Sequence, residues 1–204
     1  MSQLNFGVFN DFWDKNPNHL PFLSLHYLPN ISEGWGLYQS IEKLDVIIEE
    51  NDLSGIIEGI KLLLKSENWR PHLVASLAIL KIKKDEQIKL KSLLWERIRK
   101  GSWVSPQILV ILSIIDIDFK KIAKEIYENG FQIVYSKMSS VEHHSARGPA
   151  GLHVDNQKVI ASVEYLLHGT INDSFENDCG GSITKSWKKN LMDLIENNKF
   201  TIKS

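Results

Sequence analysis

Apolar residues recur at helical spacing along most of the chain. The clearest stretch is Leu73, Val74, Leu77, Ile79 and Leu80. Ile108, Leu109, Leu112, Ile114 and Ile115 match it further on, and Leu37, Ile41, Leu44, Ile47 and Ile48 more sparsely before it. Each set predicts a helix that is apolar around much of its circumference and therefore covered on more than one side. A polar break follows each, at Asn51-Asp52, Asp85-Glu86 and Asp116 to Asp118. Asp52 and Asp118 are placed as N-caps, because a short side-chain oxygen accepts an N–H that the first helical turn leaves without an intrahelical partner. Beyond the breaks the apolar stripes are narrower: Ile56, Ile57, Ile60, Leu63 and Leu64, then Ile88, Leu90, Leu93, Leu94 and Ile98. A shorter third helix is expected from Phe119 to Tyr127, stopped by Asn129-Gly130. One buried helix followed by one half-exposed helix occurs three times.

The tryptophans keep the same register. Trp35, Trp69 and Trp103 stand 34 residues apart, each just ahead of a first helix. Pro71 and Pro106 follow in the first turns, where a missing N–H costs nothing. A fixed period of this size marks stacked supersecondary units, here 33–66, 67–100 and 101–134, with Trp69 and Trp103 expected as packing residues at the seams. The tetratricopeptide repeat shares the period but wants Leu and Gly three and four places after its Trp. This chain has Tyr38-Gln39, His72-Leu73 and Pro106-Gln107 there. The units instead resemble short HEAT-type helix pairs, over residues 33–134. The expected fold class is all-α: a short α-solenoid of HEAT-like pairs within a single helical domain, 1–204.

The flanks differ in texture. In residues 1–32, Phe6, Phe9, Phe12, Trp13, Phe22 and Tyr27 are interleaved with Pro17, Pro21 and Pro29. Prolines oppose a continuous helix, so a short turn of helix near Asp11–Lys15 and an extended aromatic arm are expected, the arm capping the end of the solenoid. After Gly130 the register is lost. Residues 142–155 and 169–181 read as loops. Asn156 to His168 and Ile183 to Asn197 read as helices of a degenerate C-terminal pair, within a loop-rich region 135–204.

Composition narrows the function classes. The formal net charge of −1 argues against general nucleic-acid binding. A single cysteine, Cys179, excludes an internal disulfide and a multi-cysteine zinc site. There is no secretory signal at Met1-Ser2-Gln3-Leu4 and no apolar run long enough to span a bilayer, so a cytoplasmic protein without a membrane partner or cofactor is expected. Charge is uneven: unit 33–66 carries seven acids and three lysines, whereas unit 67–100 carries nine bases and four acids. Neighbouring units of opposite sign attract one another through solvated helix faces; the alternative reading is an acidic ridge beside a basic one that steers a charged protein partner.

Polar chemistry is densest from Glu142 to Asp155, where His143, His144 and His153 accompany Arg147 and the two carboxylates. Imidazole and carboxylate suit zinc or non-haem iron, so His143, His144, His153 and Asp155 are candidate metal ligands under an enzyme reading of unknown class. Under a binding reading, Glu142, His143, His144, Arg147 and Asp155 are candidate contacts, joined by Glu49, Glu50 and Asp52 on the acidic ridge. His72 is expected on a helix surface or partly buried. No strong catalytic motif accompanies the repeat. The architecture is similar to that of helical-repeat immunity proteins of bacterial toxin systems. That resemblance implies a protein-binding module that neutralises a toxin or effector. A HEAT-type nucleic-acid-binding protein, resembling the helical-repeat DNA glycosylases, is the remaining alternative and rests on the basic second unit.

Overall fold

A computed structural model describes residues 5–15, 17–26, 36–134, 149–172 and 180–203, with the backbone alone at 14 and 149–155. After α1 (Asp11–Asp14) come α2 (Leu37–Glu50), α3 (Leu53–Lys65), α4 (Trp69–Leu80) and α5 (Lys84–Arg99). They are followed by α6 (Ser105–Ile115), α7 (Phe119–Asn129), α8 (Pro149–His168) and α9 (Gly180–Glu196). Among the described residues there is no strand, and each of the three expected units contains a pair of helices. Local chemistry explains the boundaries. The Asp52 carboxylate accepts the Gly55 N–H at 2.6 Å and so caps α3, while Asn68 caps α4 through the Arg70 N–H at 3.0 Å. Asp118 occupies the N-cap place of α7 but makes no cap bond, because its carboxylate is turned to Lys91, 3.3 Å away. Gly130, with φ of +82°, ends α7 in a conformation that a side chain would strain.

Helices α4 and α6 form the centre. Pro71 through Leu80 and Ser105 through Leu112 are buried without a break. That burial is possible because α4 packs on α3, α5 and α6, and α6 packs on α4, α5, α7, α8 and α9. Helix α2, by contrast, buries one face only, through Leu37, Ile41, Leu44, Ile47 and Ile48. Ile88 of α5, read as part of the apolar stripe, is exposed, and Trp95 is buried in the core.

The tryptophans correct a sequence expectation. Trp69 is the first residue of α4, but Trp103 lies in the turn two residues before α6, and Trp35 falls outside the described residues. The rings of Trp69 and Trp103 meet at 4.8 Å, tilted by 54°, so the pair does mark a seam. Yet Trp103 is 45% exposed, and neither ring is core. The cost of a core aromatic truncation does not apply to it.

Both ends of the described chain fold back onto the helix pairs. In the arm, Phe6, Phe9, Phe12, Phe22 and Leu25 are buried. The 3-10 turn Gly7–Phe9 lies on α3, and a second, Leu20–Leu23, lies on α2 and α4. The arm's carbonyls are gripped from several helices. Ser40 donates to Asn18 O at 2.7 Å, Gln107 to Leu23 O at 3.2 Å and the Trp187 indole to Phe22 O at 3.0 Å. The arm therefore reaches from the first pair to α9 and does more than cover one end. After α9, Phe200 enters the core, and the Lys203 N–H bonds Leu80 O, a carbonyl that the end of α4 leaves without a helical partner. Lys81, buried at that point, is held by Asp45 at 2.6 Å and by the Phe200 ring, 4.0 Å from its ammonium.

Helices α8 and α9 both begin earlier than the periodicity predicts. Pro149 opens α8, seven residues before Asn156, because proline in a first turn loses no hydrogen bond. Gly180 opens α9 against the backbone of Lys158: a Cβ there would stand 2.5 Å from Lys158 O.

His72, expected near the surface, is buried. Its Nε2 lies 2.9 Å from Ser66 O and its Nδ1 2.8 Å from Ser102 Oγ. A carbonyl only accepts, so Nε2 carries the proton and the serine hydroxyl donates to Nδ1. The Arg97 guanidinium donates to the same Ser66 carbonyl at 3.1 Å and to Gly101 O at 2.8 Å. This network ties the end of α3 to α4, α5 and the turn before α6. Burial, reinforced by the nearby Arg97 charge and only partly opposed by the Ser66 bond, pushes the imidazole pKa down to about 3.

Two outcomes follow from this packing. Below about pH 6.5 the unfolded chain binds a proton at His72 that the folded chain refuses until about pH 3. Stability from this group is complete above that window and lost as pH falls through it, by up to about 1.4 kcal/mol per pH unit. Urea unfolding at pH 7, 5.5 and 4 should show a shallower decline for His72→Gln than for the parent chain. Gly180→Ala should destabilise the fold by about 1–3 kcal/mol, since overpacking against backbone forces helices apart. Thermal unfolding measures it.

Candidate functional site

The turns inside the helix pairs carry the most unusual surface. At the third turn, Asp116 is buried and bound from three directions. Lys91 Nζ lies 2.6 Å from Oδ1, the Trp95 indole donates to Oδ2 at 2.8 Å and the Asp118 N–H donates to Oδ1 at 3.1 Å. Burial pushes the Asp116 carboxyl up, but the Lys91 and Trp95 hydrogen bonds, the Asp118 N–H and the Lys91 charge together outweigh it and hold it below the usual carboxylate range. The clasp pins the 116–118 turn to α5.

With Asp116 turned inward, Ile117 is thrust outward and is 95% exposed. Ile114, one turn back on α6, is also exposed. Both border a hollow of about 400 Å³, whose rim carries Lys84, Lys120 and Lys188 and whose wall includes Phe119 and Leu166. Exposed Ile88 lies four residues after Lys84 and three before Lys91, so helical spacing puts it on the same face of α5. Scattered exposed aliphatics are ordinary, but Ile114 and Ile117 border the same hollow. Three lysines thus stand around a largely apolar lining.

The sequence-derived candidates are distributed differently. Glu49 and Glu50 end α2 on the exposed side, and Asp52, also exposed, is committed to capping α3. His153 and Asp155 stand on the backbone of α8 and not in a loop. Glu142, His143, His144 and Arg147 lie outside the described residues, as does Cys179. Among the described residues no group of three His, Cys, Asp or Glu is placed to hold a metal ion, and no helix is long and apolar enough to cross a membrane. Sequence reasoning missed the isoleucine surface because Ile114 and Ile88 fit the helical stripes. The signal was Ile117, an isoleucine between two aspartates in a break.

Compared with known proteins, the chain matches no protein family, no curated protein and no solved structure.

The clasp is open to direct test. Asp116→Ala strands the buried Trp95 N–H, at a cost of about 1–3 kcal/mol. It should also free the turn, so that amide exchange at Ile117 and Asp118 accelerates relative to α6. Unchanged exchange would show that the turn is held by something else.

Proposed function

We propose that this chain is a protein-binding module, built on HEAT-like pairs of a short solenoid, and that it acts as an immunity or inhibitor protein for a bacterial toxin or effector. The observation that carries the reading is the isoleucine surface: a fully solvated Ile117 beside Ile114 and a lysine-rimmed hollow. Leaving such side chains in water has no folding benefit, and burying them on association does. The Asp116 clasp supports the same reading, because a surface held rigid loses less entropy when it binds. In this reading the apolar centre supplies affinity and the lysine rim supplies orientation and encounter rate toward an acidic partner.

The test is neutralisation of a co-expressed toxin candidate encoded beside the gene. Ile117→Asp should keep the helix content and unfolding midpoint of the parent chain while weakening the complex at least tenfold, as for an interface hot spot. His143, His144 and Arg147 replaced together by alanine is the counter-variant. If binding survives Ile117→Asp and is lost in the triple variant, the contact belongs to the 142–155 segment and the isoleucine surface is overturned.

A further inference from the structure

The opposite ends of the same helices form a second surface of different chemistry. Helices α3 and α5 finish there, and α4 and α6 begin there. Between α3 and α5 lies a hollow of about 340 Å³ floored by Leu64 and Leu93 and lined by Lys61, Lys65, Arg97 and Lys100 against two acids, Glu67 and Glu96. Glu96 is engaged by Lys100 at 2.5 Å and Lys61 by Glu58 at 3.6 Å, which leaves Lys65 and Arg97 against Glu67. Beside it stand the partly exposed indoles of Trp69 and Trp103. Arg97 links the two features, since its guanidinium bonds Ser66 O and Gly101 O in the turns that lead to the two tryptophans. The indoles are themselves flanked by cations: the Arg70 guanidinium is 5.4 Å from the Trp69 ring and the Lys158 ammonium 5.6 Å from the Trp103 ring.

We propose that this edge binds single-stranded nucleic acid, with phosphates in the cationic hollow and bases against the indole pair. Lysines at helix C-termini complement the helix dipole without any ligand, which accounts for Lys65 and Lys100 but not for a seam indole left as exposed as Trp103. Exposed aromatic faces with interleaved cations are what a single strand requires, because every base offers a π-face and every linkage a charge. An acidic peptide would use the charge and leave the indoles idle. The formal net charge of −1 is no obstacle, since the cations are gathered on one edge.

Fluorescence anisotropy of a labelled twelve-nucleotide oligothymidylate tests it with the full chain. Binding is expected at low salt, falling with a log–log salt slope of about −2, as for three phosphates on a single strand. Trp103→Ala should weaken binding about tenfold or more. Lys65→Glu with Lys100→Glu, two solvent-facing changes, should flatten the slope. No binding at low salt overturns the proposal. So does an unchanged affinity in a folded Trp103→Ala chain, or equal binding of a polyglutamate peptide of the same charge. Should Trp103→Ala fail to fold, quenching of indole emission in the parent chain by the oligothymidylate, absent with polyglutamate, decides the same point.

Discussion

Pro71 to Leu80 of α4 and Ser105 to Leu112 of α6 are buried on every side, and the rest of the molecule is arranged around that demand. A helix in a regular stack has neighbours before and behind it, and its paired helix beside it. For α4 and α6 those three directions are not sufficient. The arm lies on α4, and α8 and α9 close around α6. Phe22 and Trp187 meet through a hydrogen bond linking the arm to the last helix. What resembles an open row of pairs in sequence is wrapped by its own flanks.

Polar groups decide how tightly that wrapping is specified. Apolar faces tolerate sliding, whereas a buried donor or acceptor accepts few arrangements. His72, Arg97 and Ser102 fix the seam at one edge, and Asp116 with Lys91 and Trp95 fixes the turn at the other. Gln87 does the same for the tail, donating to Ile82 O at 2.8 Å and to Lys203 O at 3.1 Å. None of these groups belongs to a periodic pattern. Each stands where chain segments distant in sequence converge.

That difference explains what was legible beforehand. Periodicity located the three helix pairs because burial and spacing are local properties of a helix face, and the Asp52 cap and the Gly130 stop were equally local. The all-helical class followed. The early starts of α8 and α9 were not legible: Pro149-Ala150-Gly151 reads as a loop in the sequence yet opens α8, and Gly180 is explained only by the backbone of Lys158. His72 was misjudged for the same reason, since its two partners come from Ser66 and Ser102, on turns outside its own helix. Of the candidate site, the basic character of the second unit was visible, and the outward isoleucine was visible only as an oddity.

Docking of the tail has a consequence for how the protein is made. In an independent repeat array each unit is finished when its neighbour arrives, and assembly follows synthesis from the first unit onward. Here the end of α4 obtains a hydrogen-bond donor from Lys203, and buried Lys81 obtains its aromatic neighbour from Phe200. The second unit therefore leaves the ribosome incomplete and stays so until Phe200 and Lys203 have been added. During that interval its apolar surfaces are open to chaperones and to other nascent chains. Completion waits for the segment that follows α9, and the chain's vulnerability is set by translation speed as much as by final stability.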